Sequence, residues 1–381
     1  MKQTDISSHS GSISVASLEP PLKRKDTSLW RSIEKRLLTG DPWYIPRPVV
    51  GESGEETEFF LLYDGDTAVG RAAASVNREW IESHGENLGF ISDFIIDPEH
   101  SQHAGLLIDS CLDALRGRGV GGAIVRYHGF PALAAQELDD IPPYGLPGNP
   151  SWYIEIFERS GFLRHKEWAN LRITLPRKVP KEEVEESRKC IEKLDVKAGP
   201  LRLRSRSQVD QYHDLAELLL ESHFGYIPSR FIERDDPRTR HVAFALLCWL
   251  LKFKAYLLED ASGVVGCISF APNFNVARRH LMRVSTVGGL FLALPRSLIS
   301  LRRAKRAQIT VGGFAPEMRG RGFVYLVDYL IQVVLDNGYK ELDTGPFMME
   351  NTVQMKLAWY LERKYGVTSK QMRYYTLLKR F

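Results

Sequence analysis

A short segment near the C-terminus carries the residue types that most clearly predict chemistry. A β-type run, Gln308–Phe314, leads through Pro316 into the basic, glycine-containing turn Arg319-Gly-Arg-Gly322. An apolar-periodic helix is predicted directly after the turn, from Phe323 to Asn337. Such a turn directs backbone N–H groups and the positive end of a helix dipole at one point. We therefore expect it to bind an anion, and a pyrophosphate suits it best.

Positive charge is concentrated just before this segment. The chain of 381 residues has a formal net charge of +4, yet no Asp or Glu occurs between Asp260 and Glu317. That interval holds eight basic residues, namely Arg278, Arg279, Arg283, Arg296, Arg302, Arg303, Lys305 and Arg306. Because Val284–Leu301 is apolar, the interval 278–306 has the composition of an interfacial helix, and peripheral membrane contact is expected there.

Two other interpretations of the basic interval stay open. One is a buried helix with a solvated basic end. The other is an RNA-facing patch, which we favour less because the interval lacks the interleaved aromatic residues that bind single strands.

The composition excludes several classes of protein. With 44% hydrophobic and 26% charged residues, it is typical of a globular protein of two or three domains. The four cysteines are scattered and suit a reducing cytoplasm, not a disulfide framework or a zinc site. His100 and His103 lack a supporting cysteine or carboxylate cluster, so no metal site is predicted. No secretory signal peptide and no apolar run long enough to span a bilayer is visible. A cytoplasmic location is therefore expected, with additional peripheral contact at the inner face of the membrane.

The predicted elements that must position the turn occur in the same order twice. The order is hairpin, strand, turn, helix, strand, helix, strand. The first copy starts with Glu58–Asp64 and Thr67–Asn77 around Gly65-Asp66, and the second starts with a hairpin around Asp260-Ala-Ser-Gly263. We predict an α/β (α+β) fold of two tandem domains, each a mixed, mostly antiparallel sheet flanked by helices.

Composition shifts set the expected boundaries of these domains. Residues 1–28 are Ser-rich and predicted to be a disordered tail, and the first domain is expected over 29–176. The Lys/Glu-rich stretch 177–199 is predicted to be a helical linker, with a second domain over 200–381. The alternating Leu and Arg of Leu201–Arg206 predict that this second domain opens with a strand.

The turn from Pro316 to Val324 resembles the acyl-CoA pyrophosphate loop of the GNAT acyltransferase superfamily. That family's pattern is Arg/Gln-x-x-Gly-x-Gly/Ala, in which Arg319, Gly322 and Val324 occupy the fixed places; valine replaces the final small residue. The resemblance implies acyl-CoA as a co-substrate. It also implies that the strands Gln308–Phe314 and Lys340–Pro346 splay apart, and that pantetheine pairs with the exposed edge of the first.

The same resemblance implies which residues bind the cofactor. Glycine tolerates irregular backbone, so a bulge is expected at Gly312-Gly313. The implied cofactor-binding residues are Gly312, Gly313, Phe314, Arg319, Gly320, Arg321, Gly322, Phe323, Val324 and Asn351.

The N-terminal half resembles the same family without its cofactor loop. Asp97-Pro-Glu-His-Ser-Gln-His-Ala-Gly105 occupies the place of the second loop but has lost the glycine pattern and the arginine. Phe157-Glu-Arg-Ser-Gly-Phe162 still resembles the family's helix end. This half is therefore expected to be a GNAT-like domain with a degenerate cofactor loop.

Longer stretches resemble one family of tandem GNAT-like bacterial proteins, with bacterial ceramide synthases in or near the group. The stretches are 40–46, 69–77, 84–90, 148–153 and the Pro316 loop. The resemblance implies an N-acyltransferase that acts on a small-molecule or lipid amine, such as an amphiphilic, sphingoid-base-like acceptor.

Acyl transfer to an amine sets requirements for the site. The amine must be neutral to attack a thioester, so a base or a water relay must accept its proton. Glu350 is the candidate base; the alternative is a carboxylate favoured by the helix dipole. Tyr360 is the candidate acid to the CoA sulfur. Its alternative is an aromatic packed beside Trp359, and Tyr365 could substitute for it.

Two other functions stay open at the level of sequence. Tandem GNAT-like halves with degenerate loops also occur in aminoacyl-tRNA-dependent transferases, and the second half could bind acyl-CoA without catalysis. Acyl-carrier protein could replace CoA as the donor, and neither the acyl length nor the oligomeric state follows from the residues.

Overall fold

The computed structural model describes residues 3–4, 13–18, 22–38, 55–127, 130–221, 224, 226, 244–246, 248, 250–281, 287–318 and 323–381. These residues form two compact units. The first unit takes those up to Trp168 together with Arg373–Phe381, and the second takes Ala169–Met372.

The first unit is a mixed sheet flanked by helices. Its strands are β1 (Gln3–Thr4), β2 (Ile13–Leu18), β3 (Glu55–Asp64), β4 (Thr67–Asn77), β5 (Gly89–Ile96), β6 (Gly122–Val125), β7 (Leu133–Ala134), the start of β8 (Leu163–Thr174) and the end of β15 (Ser369–Arg380). The order runs β1-β2-β3-β4-β5-β6-β15, and β5 and β6 are parallel whereas the other neighbours are antiparallel. Its helices are α1 (Arg24–Leu38), α2 (Arg78–His84), α3 (Ala104–Gly117) and α4 (Tyr153–Arg159).

Local chemistry explains the elements at the centre of this unit. The β3–β4 hairpin turns at Gly65, whose φ of 55° lies in the left-handed region that glycine tolerates. Helix α2 begins where the Asn77 side chain accepts the Trp80 N–H at 2.9 Å. Helix α3 buries an apolar face at helical spacing against the sheet, formed by Leu107, Ile108, Cys111, Leu112 and Leu115.

The second unit repeats this organisation. Its strands are the end of β8, β9 (Lys197–Pro200), β10 (Lys254–Asp260), β11 (Gly263–Pro272), β12 (Arg306–Phe314), β13 (Glu341–Asp343), β14 (Phe347–Met348) and the start of β15. The order is β8-β13-β12-β11-β10-β9, and β12 and β13 are parallel whereas the others are antiparallel. Its helices are α5 (Lys181–Lys193), α6 (Arg206–Leu220), α7 (Asn275–Leu281), α8 (Val287–Arg303), α9 (Phe323–Asp336) and α10 (Val353–Tyr365).

The core of the second unit lies under α9. Val327, Ile331 and Val334 are buried at a spacing of four and three residues, as one face of a helix requires. Helix α5 packs on α9, so the Lys/Glu-rich stretch predicted as a linker is part of this unit. Apolar residues on the inner face of α5, above all Ile191, account for that packing.

The predicted repeat is present, but the last strand of each copy belongs to the other unit. The end of β8, Ala169–Thr174, pairs with β13 in the second unit. The end of β15, Arg373–Arg380, pairs with β6 and β7 in the first. The units therefore divide at Trp168/Ala169 and Met372/Arg373, and not at the predicted stretch 177–199.

Two local predictions differ from the structure. Residues 1–28 were predicted to be disordered, yet Ile13–Leu18 forms a strand that pairs with β3, and α1 begins at Arg24. Leu201–Arg206 was predicted to be a strand, but β9 ends at Pro200 and Ser205 already caps α6 by accepting the Gln208 N–H. Pairing with β3, which a local pattern does not reveal, makes Ile13–Leu18 a strand, whereas the local Ser205 cap starts a helix where a strand was predicted.

No helix in the described part of the chain is long and apolar enough to cross a bilayer. All four cysteines lie within the described residues and are free thiols. Three of them are buried, and burial raises the pKa of Cys248 to about 11.

Candidate functional site

The parallel pair β12–β13 separates after three residues. Arg306, Ala307 and Gln308 pair with Glu341, Leu342 and Asp343. Strand β13 then ends, and the next residue, Thr344, donates its N–H to Leu171 of β8 at 3.0 Å. From Ile309 to Phe314, β12 continues beside β11 alone among the described strands. The predicted splay is therefore present, and it leaves a strand edge open.

A glycine allows the chain to pass close to the point of separation. Gly345 has a φ of 77°, and a Cβ built on it would lie 2.8 Å from the carbonyl oxygen of Ile309. A larger residue would collide with the backbone of β12 just where the open edge begins. Glycine at this position thus keeps β13 close to β12 without blocking the edge beyond it.

Buried charge fixes β13 at the separation point. Asp343 is fully buried and accepts hydrogen bonds from Asn170 Nδ2 at 3.2 Å and Arg172 Nε at 3.1 Å, both on β8. Burial raises the pKa of the Asp343 carboxyl, whereas the guanidinium groups of Arg172 and Arg306 act in the opposite direction. The pairing of β13 with β8 is thereby tied to one register.

The open strand is bulged at Thr310. Ser269 of β11 pairs with Val311 and Phe270 pairs with Ile309, so Thr310 is an extra residue in β12. Its hydroxyl lies 2.7 Å from Ser269 Oγ, which also receives a hydrogen bond from Tyr212 at 3.0 Å. The bulge had been predicted two residues later, at Gly312-Gly313, because glycine favours irregular backbone.

Gly312 and Gly313 lie outside the bulge. Gly312 pairs regularly with Ile268, and Gly313 pairs with Cys267. A Cβ at Gly313 would approach Leu219 of α6 to 2.8 Å, so this glycine allows α6 to pack closely on β12. The position of a bulge depends on cross-strand partners, and the sequence of one strand does not contain them.

The predicted phosphate loop lies largely outside the described residues. Strand β12 ends at Phe314, a 3₁₀ turn covers Pro316–Met318, and α9 begins at Phe323, as the strand–turn–helix prediction requires. Arg319, Gly320, Arg321 and Gly322 fall in the gap between them. Phe323 and Val324 are the first residues of α9.

The two residues predicted after β14 lie at the start of α10. Glu350 is exposed in the turn between β14 and α10. The Asn351 side chain accepts the N–H of Val353 at 3.2 Å, so it satisfies one of the free donors at the helix start. Asn351 thus has a structural contact in addition to its predicted part in the cofactor site.

The predicted acid Tyr360 belongs to a polar cluster between α9 and α10. Its hydroxyl donates to the buried Asp328 at 2.8 Å and receives a hydrogen bond from Lys364 at 2.7 Å. Asp328 also accepts from Lys364 at 2.7 Å and from Tyr365 at 2.7 Å. Lys364 pairs in addition with Glu183 of α5.

This cluster shifts the titration of its members. Burial raises the pKa of Tyr360, and the hydrogen bond to Asp328 acts in the same direction. Burial alone would lower the pKa of Lys364, but its bonds to Asp328, Glu183 and Tyr360 raise it above its ordinary value. Tyr360 therefore stays protonated near neutral pH, with its proton directed at Asp328. These contacts favour the structural alternative for Tyr360.

A cavity opens on the α6 side of the bulged strand. It has a volume of about 360 Å³, and Thr310 and Val311 of β12 form part of its wall. Helix α6 contributes two carboxylates and an imidazole, from Asp214, Glu217 and His213. Aromatic rings complete the lining, from Tyr212, Tyr226, Phe244 and Phe253.

Sequence analysis missed this cavity. The signal was the run Tyr212-His213-Asp214 with Glu217 one turn later, which places titratable groups and aromatics on adjacent faces. Among the described residues, no group of three or more His, Cys, Asp or Glu is arranged to hold a metal ion.

The equivalent parallel pair in the first unit is closed by its own side chains. Strand β5 runs on past its pairing with β6 and is bulged at Asp93, whose φ is 53°. The Ile96 N–H then donates to the Tyr153 hydroxyl of α4 at 3.4 Å. The Phe94 ring packs edge-on against the rings of Tyr153 and Phe157, at centroid distances of 5.0 and 4.9 Å.

The turn after β5 is acidic. Asp97 Oδ1 accepts the N–H of Glu99 at 3.1 Å, so this donor of the turn is already hydrogen-bonded to a carboxylate. His100 Nε2 lies 3.2 Å from Asp64 Oδ2. An arriving phosphate would meet carboxylates here.

Comparisons with known proteins bear on the fold. No protein-family model matches the chain, and no curated protein matches its sequence. A solved tandem GNAT protein from the clavulanic acid biosynthesis pathway, without acetyl-CoA, is similar with a TM-score of 0.52 and 10% identity over 97% of this chain and 98% of that one.

A second solved structure is similar over part of its length. It is a GCN5-related glucosamine N-acetyltransferase region in a fungal multi-domain GH3 β-N-acetylglucosaminidase, with a TM-score of 0.54 and 15% identity. The alignment covers 97% of this chain and 38% of that one. At these identities the likeness establishes the fold alone, and the fold of this chain is that of the tandem GNAT proteins.

Proposed function

We propose that this protein is an N-acyltransferase that transfers an acyl group from acyl-CoA to a primary amine. The observation that carries the proposal is the separation of β12 from β13 after Gln308, followed by a basic glycine-containing turn and helix α9. The first unit is proposed as a GNAT-like domain with a degenerate loop, and the second as the domain that binds acyl-CoA. An acyl-carrier thioester is the alternative donor.

The open edge of β12 suits the amide groups of pantetheine. Over Thr310–Gly313, β12 pairs with no described strand on the side that β13 leaves, and an extended ligand can pair with this edge as a strand would. The N–H groups of Arg319–Gly322 and the start of α9 would receive the pyrophosphate. The guanidinium groups of Arg319 and Arg321 would add charge-assisted hydrogen bonds.

We propose the cavity beside Thr310 as the place of the acceptor amine. Asp214 and Glu217 can attract an ammonium group, and the aromatic walls can contact the apolar part of an amphiphilic molecule. The amine must lose a proton before attack. Glu350 is the proposed base, and the cavity adds His213, Asp214 and Glu217 as groups that can accept this proton through water.

The reaction forms an amide bond and breaks a thioester bond. The nitrogen lone pair attacks the acyl carbon, the base removes a proton from nitrogen, and the thiolate of CoA leaves and takes up a proton. Tyr360 is the candidate proton donor, with a structural role as the alternative that its contacts favour. Its single O–H proton is directed at Asp328, so donation to the thiolate requires that this hydrogen bond break first.

Incubation of the purified chain with acyl-CoAs of increasing length and a panel of amines tests the proposal. Release of free CoA thiol and the mass of the product report turnover, and calorimetry reports acyl-CoA binding. Gly322→Glu places a carboxylate in the proposed phosphate loop and should weaken binding about 100-fold or more, since like charges in contact cost several kcal/mol.

Gly105→Glu is the control in the first unit, at the start of α3, the helix that follows the corresponding turn. A Cβ at Gly105 meets no atom within 4 Å, so the change should be tolerated and binding should stay as in the wild type. Absence of acyl-CoA binding, or equal effects of the two substitutions, would show the proposal to be wrong. Binding without turnover across the panel would leave only an acyl-CoA-binding module.

A further inference from the structure

Helices α7 and α8 form an insertion that the sheet does not need. Strands β11 and β12 are antiparallel neighbours whose last pair is Pro272 and Ala307. Antiparallel neighbours can be joined by a turn of a few residues. Here residues 273–305 lie between the two strands instead, and the described part of that interval contains helices α7 and α8.

One narrow face of α8 is used for packing. Ala293, Ser297 and Leu301 are buried at a spacing of four residues. Ser297 Oγ donates to the Ala277 carbonyl of α7 at 3.1 Å, and Ser300 Oγ lies 3.1 Å from His280 Nε2. The polar side chains on and beside this inner face therefore have their partners on α7.

The outer face of α8 is apolar and exposed. Phe291 is 72% exposed and Leu292 is 65% exposed, far above what large apolar side chains of a folded protein usually show. The same face carries three further exposed aliphatic side chains, from Leu294, Leu298 and Ile299. The five side chains lie within Phe291–Ile299, which is roughly 12 Å of the helix axis at 1.5 Å per residue.

Positive charge borders this apolar face. Arg296, Arg302 and Arg303 on α8 are exposed, and Arg278 and Arg279 on α7 are partly exposed. No Asp or Glu occurs between Asp260 and Glu317 to neutralise them. Within the described part of the chain, no carboxylate is ion-paired with the three arginines of α8.

We propose that the outer face of α8 docks the protein on an anionic phospholipid bilayer. The apolar side chains would enter the acyl-chain boundary, and the arginines would contact phosphate headgroups, with their aliphatic stems along the apolar surface. The proposal does not depend on the chemistry assigned to the second unit.

A second copy of the chain fits this face less well. A two-fold contact through α8 would bring two basic surfaces together, and no acidic residue of this interval would compensate their charge. A bilayer that carries negative headgroups complements both properties of the face.

Co-sedimentation of the full chain with vesicles tests the proposal. Vesicles of phosphatidylcholine with phosphatidylglycerol should bind the protein, vesicles of phosphatidylcholine alone should bind it much less, and salt should weaken binding. Phe291→Ser with Leu292→Ser should reduce binding about tenfold or more, because two exposed apolar groups are lost. Arg302→Gln with Arg303→Gln should reduce it about fivefold per charge.

Two control variants make the test specific. Leu163→Ser removes an apolar side chain that is 74% exposed on β8, and Lys189→Gln with Lys193→Gln removes two exposed charges from α5. Both controls should bind vesicles as the wild type does. Circular dichroism should show that all variants are folded.

Several outcomes would overturn the proposal. One is equal binding to anionic and neutral vesicles, or equal losses in the control variants. Another is a lipid-free dimer that Phe291→Ser with Leu292→Ser converts to a monomer, which would assign the face to a second copy. A third is salt-sensitive RNA binding that depends on Arg302 and Arg303, without vesicle binding.

Discussion

Each unit contains an equivalent parallel pair of strands, but the two units differ in what lies beside the longer strand after the pairing ends. In the first unit, β5 continues beyond β6 and meets Tyr153, whose hydroxyl accepts the Ile96 N–H. In the second unit, β12 continues beyond β13 and meets no described strand on that side. The same backbone arrangement is therefore closed in one copy and open in the other.

The side chains around the pair explain this difference. Aromatic packing of Phe94, Tyr153 and Phe157 fills the first unit's separation, and Asp97 and Glu99 make its turn acidic. The helices beside the second unit's separation are instead joined by a polar cluster around Asp328. A duplicated fold can thus keep its scaffold in both copies while only one leaves this strand edge without a strand partner among the described residues.

Removal of the Asp328 carboxylate should have the largest effect on stability. Asp328→Ala leaves Tyr360, Lys364 and Tyr365 without their shared acceptor, and a broken buried charge cluster costs about 3–5 kcal/mol. Denaturant unfolding should report this loss. Asp336→Ala, at an exposed position at the end of the same helix, should change stability by about 0.5 kcal/mol or less. Similar values for both would contradict the cluster's role.

Several of the strands and helices in the two units could be predicted from local sequence patterns. Gly65-Asp66 predicted the β3–β4 hairpin, and α9 begins at Phe323 as predicted. These elements depend on turn chemistry and on periodicity, which lie within a few residues of each other.

The rest depended on partners far away in the sequence. The end of β15 pairs with β6, more than two hundred residues earlier, so the unit boundaries could not follow from a linker-like composition. The bulge at Thr310 follows from its register with Ser269, and the cluster of Tyr360 follows from the packing of α9 on α10. Asp328 itself looked like one polar residue in an apolar helix.

Acyl-CoA should protect the second unit alone against hydrogen exchange. At a ligand concentration of 100 times Kd, binding stabilises the bound form by about 2.7 kcal/mol, which corresponds to about a hundredfold slower exchange through opening of the site. We expect this protection in Ile309–Phe314 and not in Ser92–Ile96. Hydrogen–deuterium exchange with mass spectrometry, with and without acyl-CoA, measures both segments in one sample. Equal protection of both strands would show that the first unit is also open to the ligand.

Loss of the Tyr360 hydroxyl should distinguish its two roles. Tyr360→Phe should cost about 1 kcal/mol of stability, because Asp328 keeps Lys364 and Tyr365 as partners. If the hydroxyl is structural, as its contacts favour, kcat should stay within about twofold, whereas a general acid would account for 100-fold or more. Tyr153→Phe is the matched change in the first unit and should leave kcat unchanged. A large fall in kcat for Tyr360→Phe alone would establish it as the acid.

The smallest effect is expected at the acidic turn of the first unit. Asp97→Ala removes the side chain that accepts the Glu99 N–H and should cost about 1 kcal/mol, as the loss of a capping residue usually does. Asp66→Ala, in the exposed β3–β4 turn, is the control and should be nearly neutral. Thermal unfolding measures both.

The same variant tests whether one acidic group closes the first unit. If Asp97 alone excluded the ligand, Asp97→Ala would give a second acyl-CoA site by calorimetry. We expect one site per chain in the variant as in the wild type, because Tyr153 still binds the Ile96 N–H and the Glu99 carboxylate stays beside the turn. A second site would mean that charge in the turn, and not packing at the strand edge, separates the two units in function.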